Sequence, residues 1–277
     1  MFRAMKRPVL IIAFVSLTIL ASGCEEEPTK KKPTATPVTK SKASVAPTST
    51  PTEQSPQTSP TVATPTPTTQ PTSNQAIPVV SNHTSLEVMV NKQRALPANY
   101  VPADLVQPNI SFSFSGVSEK KLLRAKAAKA IEDLFAQAKA EGIHLNGVSA
   151  YRSYSTQAAI FKANVNRQGY EQARRFSAVP GTSEHQTGLS IDVSAASVGN
   201  ALEQSFGATV EGKWLAAHCA AFGFIIRYPD GKETITGYAY EPWHIRYVGT
   251  AMASEIMSKG LTLEQYLGDA APATITQ

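Results

Sequence analysis

Apolar residues recur at helical spacing through one long stretch of the chain, at Leu123, Ala127, Ala130, Ile131, Leu134 and Ala138. Ser118 offers a capping hydroxyl before them and Gly142 a stop after them, so the pattern predicts a helix over 119–141 with one face in a core. A short strand-like segment follows at Val148–Arg152, then a second helix from Ser155 to about Asn166, then a loop over 181–188. Leu189, Ile191 and Val193 alternate with Ser190, Asp192 and Ser194, the period-two pattern of a half-buried strand, which sets Asp192 on the face away from the core. Further on, Trp214–Phe222 reads as a helix stopped by Gly223, Phe224–Tyr228 as a strand, Pro229-Asp230-Gly231 as a turn and Trp243–Val248 as another strand. A final helix or helix pair covers about Thr250–Leu267. Helices mixed with short strands and turns predict an α+β fold, a single compact domain with a small antiparallel sheet and flanking helices.

The first third follows another pattern. Val9–Leu20 is an apolar run behind the basic residues Arg3, Lys6 and Arg7, and at about 12 residues it is short for a membrane span, so it predicts a secretory signal. It ends in Leu20-Ala21-Ser22-Gly23-Cys24, which resembles a bacterial lipobox, with Ala21 where leucine is usual and Leu20 one place further back. Residues 1–23 are therefore expected to be a lipoprotein signal peptide. Cys24 is the expected lipidation site, and the mature protein is expected to be extracytoplasmic, held to the membrane by its lipid anchor and facing the cell wall. From 24 to 85 the chain is built of Pro, Thr, Ser, Lys and Gln and has too little apolar surface to offset the entropy of ordering, which predicts a disordered, extended tether. The remaining residues, 86–268, are long enough to bury a core as one domain, and 269–277 are expected to be a disordered tail.

The net charge of +5 changes little in this picture, because eight Lys and Arg stand against four Glu within 1–85 and the rest of the chain carries 18 basic and 17 acidic residues. A domain so close to neutral lacks the footprint for a phosphate backbone, so no nucleic-acid partner is expected. Of the two cysteines, Cys24 closes the leader and Cys219 lies in an apolar helical stretch as a small buried hydrophobe, so no disulfide is expected.

Candidate chemistry gathers on two of the five histidines. In Ser183-Glu184-His185-Gln186-Thr187-Gly188-Leu189-Ser190-Ile191-Asp192 an imidazole and a strand-borne carboxylate can converge across the turn that Gly188 allows. Glu241-Pro242-Trp243-His244 adds a second imidazole with a carboxylate three residues before it. Each piece alone also reads as a surface hydrogen bond or a side-chain contact along one element. Together they hold what a catalytic zinc site requires, namely protein ligands with an open position and a base for the bound water's proton. His218 reads as a polar-face helix residue, and His83 and His144 show no partner.

These motifs resemble those of the zinc D,D- and L,D-carboxypeptidases of bacterial cell walls, which include the vancomycin-resistance D,D-carboxypeptidases. Ser183, His185, Gly188 and Asp192 match Ser-x-His-x-x-Gly-x-Ala-x-Asp, with Ser190 in place of the alanine, and Glu241, Trp243 and His244 match Glu-x-Trp-His. The likeness runs from Leu86 to Leu267 through Val90-Asn91-Lys92, Tyr151-Arg152-Ser153, Phe222-Gly223-Phe224 and Arg227-Tyr228-Pro229. It implies one Zn2+ per chain in a surface cleft, bound by His185, Asp192 and His244, with Glu241 as general base and then acid. It also implies Arg152 as the clamp for a free terminal carboxylate, Ser183 and Gln157 as substrate contacts or supports, and Trp243 as core packing. The expected substrates are peptidoglycan stem peptides losing a C-terminal D-alanine, and the expected state is a monomer. A metalloendopeptidase, which has no terminal carboxylate to clamp, and a non-catalytic wall-binding lipoprotein, which has no use for Glu241, are the alternatives.

Overall fold

The computed structural model describes residues 76–268. The signal peptide, Cys24, most of the tether and the tail 269–277 lie outside the described residues. Within the described part, residues 76–85 are already tied to the domain, since Val80 N–H donates to the Ala95 carbonyl at 2.8 Å and Ala95 N–H to that of Pro78 at 2.9 Å.

In chain order the strands are β1 (Leu105–Val106), β2 (Leu123–Arg124), β3 (Asn146–Ser149), β4 (Ser190–Ser194), β5 (Phe224–Tyr228) and β6 (Glu241–Tyr247). The α-helices are α1 (Ala125–Ala140), α2 (Tyr154–Gln168), α3 (Tyr170–Phe176), α4 (Val210–His218), α5 (Glu233–Thr236), α6 (Thr250–Lys259) and α7 (Leu263–Tyr266). β1 and β2 form a small antiparallel pair, and the other four make one antiparallel sheet in the order β3-β4-β6-β5. The apolar stripe of α1 (Ala127, Ile131, Leu134, Ala138) packs with Leu189, Ile191, Val193, Phe224 and Ile245 in the main core, while Ile225 meets Met252, Ala253, Ile256 and Leu263 in a second cluster.

The long helix begins later than its apolar period suggests. Ser118 does cap, but it caps a single 3₁₀ turn over Glu119–Lys121, and α1 starts at Ala125. Tertiary partners claim the backbone in between: Arg124 N–H donates to the Gly188 carbonyl at 2.8 Å, and the Leu122 carbonyl accepts from Tyr151 N–H at 2.9 Å. Ala150 N–H and Tyr151 N–H are likewise drawn to Lys120 and Leu122, so β3 ends at Ser149 rather than Arg152. α2 opens on Ser153, whose hydroxyl accepts from Thr156 N–H. The helix expected over Trp214–Phe222 is displaced, running Val210–His218 with a 3₁₀ turn over Cys219–Phe222 that ends at Gly223. β5 has the expected bounds, β6 lies one or two residues earlier than expected, and the C-terminal segment is a pair, α6 and α7.

β4 departs most from expectation, because all five of its residues are buried and this strand is covered on both faces. The face carrying Ser190, Asp192 and Ser194 is thus a second, polar interior. Cys219 is buried and free, its thiol pushed up to about 12 by burial, which leaves it an inert filler of the core. His83 meets the edge of the Tyr100 ring, and His218 stacks on Trp214 at 4.3 Å.

Candidate metal centre

Pairing of β4 with β6 sets Asp192 directly opposite His244, and pairing of β3 with β4 sets Ser149 opposite Asp192. His185 reaches the same place from the 3₁₀ turn Glu184–Thr187 that leads into β4. That turn closes on Gly188 in the left-handed region (φ +66°), which favours glycine, and a Cβ there would stand 2.9 Å from the Leu105 side chain and 3.0 Å from that of Arg124. The ligand atoms of His185, Asp192 and His244 all lie within 4.8 Å of one another, and the three side chains are buried.

Hydrogen bonds orient the two imidazoles differently. His185 Nδ1 is 2.7 Å from the Ala150 carbonyl, which can only accept, so the proton is on Nδ1 and the lone pair on Nε2, 3.4 Å from Asp192 Oδ2. His244 turns Nδ1 to Asp192 Oδ1 at 2.8 Å and Nε2 to Glu184 Oε2 at 3.4 Å. Burial drives the His185 pKa down to about 3, so this ring is neutral and ready to ligate. Burial also acts to lower that of His244, but the hydrogen bonds to Asp192 and Glu184 outweigh it and raise the value to about 9. A metal taken up at Nδ1 of His244 therefore releases a proton. For Asp192, burial favours the acid form, yet the hydrogen bond from His244 and the charges of His244 and Arg152 hold the carboxyl below its usual range. Two imidazoles and an ionised carboxylate, converging and buried, fit a divalent metal of the zinc class and leave it net positive.

Glu241 begins β6. Residues three apart on a regular strand face opposite ways, but the β5–β6 register slips between Ile226 and Tyr228, pairing Tyr228 with Glu241. Pro242, which cannot donate to the ladder, lies inside that irregularity. The Glu241 carboxyl interacts electrostatically with His244, Asp192 and Glu184, and burial raises its pKa to about 7. Tyr228 stacks on His244 at 5.1 Å and on Tyr238 at 4.4 Å, so aromatic rings wall this side.

Arg152 stands beside the cluster, and its charge helps lower the pKa of both His185 and Asp192. Its Nη1 donates to Gln157 Oε1 at 3.0 Å and its Nη2 to Ser149 Oγ at 3.3 Å, while Nε is buried without a partner. Gln157 is held in turn by donating to the Ala178 carbonyl at 2.7 Å. Ser183 is buried at the start of the His185 turn, its carbonyl accepting from Gln186 N–H. Trp243 packs half-buried against the main core.

A group that sequence reasoning did not single out lies behind the three histidine and aspartate side chains. Glu184 Oε1 accepts from Arg227 Nε and from Arg246 Nη1, each at 2.7 Å, and Arg227 also binds Glu264 through Nη1 at 2.9 Å and Nη2 at 2.6 Å. The available signal was an arginine inside each of two apolar strands, Phe-Ile-Ile-Arg-Tyr and Trp-His-Ile-Arg-Tyr, since a charge buried there demands an acid.

Residues 120–250 match the family described as VanY: D-alanyl-D-alanine carboxypeptidase. The Bacillus subtilis protein YodJ is 48% identical over 187 residues, 68% of each chain, and the D-alanyl-D-alanine carboxypeptidase of Enterococcus faecalis is 34% identical over 189 residues, 65% of each. Among solved structures, the LdcB LD-carboxypeptidase is 47% identical with a TM-score of 0.68, the match covering 70% of this chain and 90% of that one. A mutant of the vancomycin-resistance D,D-pentapeptidase VanY, solved with Zn(II), is 35% identical with a TM-score of 0.54, covering 66% of this chain and 99% of that one. With the two motifs in register on this fold, the chain belongs to the VanY family of D-alanyl-D-alanine carboxypeptidases.

Proposed function

We propose that the protein is a zinc-dependent carboxypeptidase that removes the C-terminal D-alanine of peptidoglycan stem peptides. The observation that carries this reading is the convergence of His185, Asp192 and His244 within 4.8 Å, with Glu241 in electrostatic contact and Arg152 alongside. His185 Nε2, His244 Nδ1 and the Asp192 carboxylate would hold one Zn2+, which when bound supplies a Lewis acid for the scissile carbonyl and an acidified water. Glu241 takes the water's proton and returns it to the departing amine. Arg152 has three uncommitted N–H groups, the buried Nε–H among them, to pair with the terminal carboxylate, while Gln157 and Ser149 fix the plane of its guanidinium.

The likeness to LdcB favours the L,D bond, in a tetrapeptide that ends in a single D-alanine. Release of D-alanine from synthetic tetrapeptide and pentapeptide stems tests this. A higher kcat/KM on the tetrapeptide supports the L,D assignment, and the reverse order assigns the D,D bond.

The base sets a pH dependence. Glu241 is active as a carboxylate and its pKa is raised to about 7, so kcat/KM is expected to rise with pH on the acid side. The apparent pKa of that limb should lie at or below about 7, because a bound cation can only pull the carboxyl down. The limb should vanish from the residual activity of Glu241→Gln. Rates measured from about pH 4 upward check this, and an acid limb that persists in the residual activity of Glu241→Gln would remove Glu241 as its source.

The lipobox-like leader and the proline-rich tract support a location outside the cytoplasm, with a monomeric domain tethered to the membrane through Cys24. Labelling of expressing cells with a palmitate analogue should mark the wild type and not Cys24→Ser, and label retained by the variant would exclude this anchor.

A further inference from the structure

Glu184 divides its two oxygens between two tasks. Oε1 accepts from both arginines, and Oε2 faces His244 Nε2 at 3.4 Å while accepting from Ser190 Oγ at 3.1 Å. Neither arginine donates a hydrogen bond to Oε2. The rest of the quartet is fully engaged elsewhere: Arg227 on Glu264, and Arg246 through Nη2 on the Leu86 and Val88 carbonyls at 2.9 and 2.8 Å. Glu184, Arg227 and Arg246 are each 2% exposed or less. The arginines therefore act as a vice that fixes the rotation of the Glu184 carboxylate, and its other edge, which also accepts from Ser190, is the one presented to an imidazole.

We infer that Glu184 is a positioning residue for the metal ligand His244, holding the proton on Nε2 and leaving Nδ1 to the metal. The inference rests on His185, Asp192 and His244 being the zinc ligands, as proposed above. It gives the two imidazoles opposite assignments, Nε2 ligating from His185, whose Nδ1 is tied to the Ala150 carbonyl, and Nδ1 ligating from His244. A carboxylate on the far nitrogen of a ligating histidine fixes the ring and raises its basicity, and losing such a partner costs about 10–100-fold in metal affinity.

The near-isosteric change Glu184→Gln separates this from a purely structural role. The arginines donate only, so they hold the amide oxygen and leave the amide NH2 facing His244. A donor there favours the lone pair on Nε2 and the proton on Nδ1, the wrong arrangement for ligation through Nδ1. Glu264→Gln is the matched control, since it removes one charge from the same quartet without touching His244.

The experiment is Zn2+ titration of the wild-type protein and both variants against a chromophoric chelator, at a temperature where circular dichroism shows each folded. It is joined by long-range 1H–15N correlation of His244 in the zinc-loaded wild type. Both variants are expected to lower Tm, but Glu184→Gln alone should weaken Zn2+ binding, by about 10–100-fold. The wild-type spectrum should show His244 protonated on Nε2. Unchanged affinity in Glu184→Gln, equal weakening by Glu264→Gln, or a His244 proton on Nδ1 would each overturn the role, and the wild-type spectrum decides alone where a variant does not fold. Failure of the wild type to bind zinc would instead overturn the ligand assignment itself, and the positioning role with it.

Discussion

Glu241→Ala is expected to lower kcat for D-alanine release by about 10²–10⁴-fold while the protein still takes up one zinc. The size follows from what the residue does in the proposed reaction, which is to accept one proton and return it, without ligating the metal. Its position is prepared by the slip in the β5–β6 register, which pairs it with Tyr228 and brings it into electrostatic contact with His244 and Asp192. Stability separates this from a structural loss. The folded pKa of Glu241 is raised to about 7 from an ordinary 4.5, so the native state binds the proton more tightly than the unfolded chain does. Its contribution to stability is therefore present at low pH and is lost as pH rises through that window. Removing the carboxyl as Glu241→Gln should leave the metal-free protein at least as stable as wild type at pH 8. Inactivity with an undiminished Tm and stoichiometric zinc is the expected triad, and a large fall in Tm with loss of zinc would return Glu241 to a structural role.

Arg152→Met should be nearly as damaging to carboxypeptidase action and far less so to metal binding. Truncating one member of a desolvated, hydrogen-bonded ion pair typically costs about 2–5 kcal/mol, roughly 30-fold to several-thousand-fold in kcat/KM. Arg152 is prepared for such a pair, since Gln157 and Ser149 hold two of its N–H groups and its buried Nε–H has no partner. Stem peptides amidated at the C-terminus supply the second half of a double-mutant cycle. Wild type should discriminate against the amide by a comparable factor, and Arg152→Met should hardly discriminate at all. A wild type indifferent to amidation would remove the clamp and favour an endopeptidase.

The convergence of His185, Asp192 and His244 was legible in the sequence because these residues sit in two short runs, 183–192 and 241–244, whose spacing constrains them whatever the rest of the fold does. β5 was legible for a similar reason, as an apolar run bounded by Gly223 and Pro229. The start of α1 was not, since the helical period continues through Leu123 while the backbone of Leu122 and Arg124 is taken by Tyr151 and Gly188, which are distant in sequence. β4 shows the same limit from the other side. Its alternation is real, but the polar half faces a second interior rather than water, because Glu184, Arg227 and Arg246 assemble over it. Those partners are 43 and 62 residues apart along the chain, and no local pattern encodes their meeting. The tyrosine stack on His244 was hidden likewise, since Tyr228 joins it from a neighbouring strand.

The most direct test of the account is mass spectrometry of defined tetrapeptide and pentapeptide muropeptides incubated with the zinc-loaded protein, the same protein after chelation, and Glu241→Ala. The zinc-loaded wild type alone is expected to remove one terminal alanine, chelation to abolish the loss and added zinc to restore it. Cleavage at an internal bond, or no loss of alanine from either substrate despite one bound zinc per chain, would contradict this expectation.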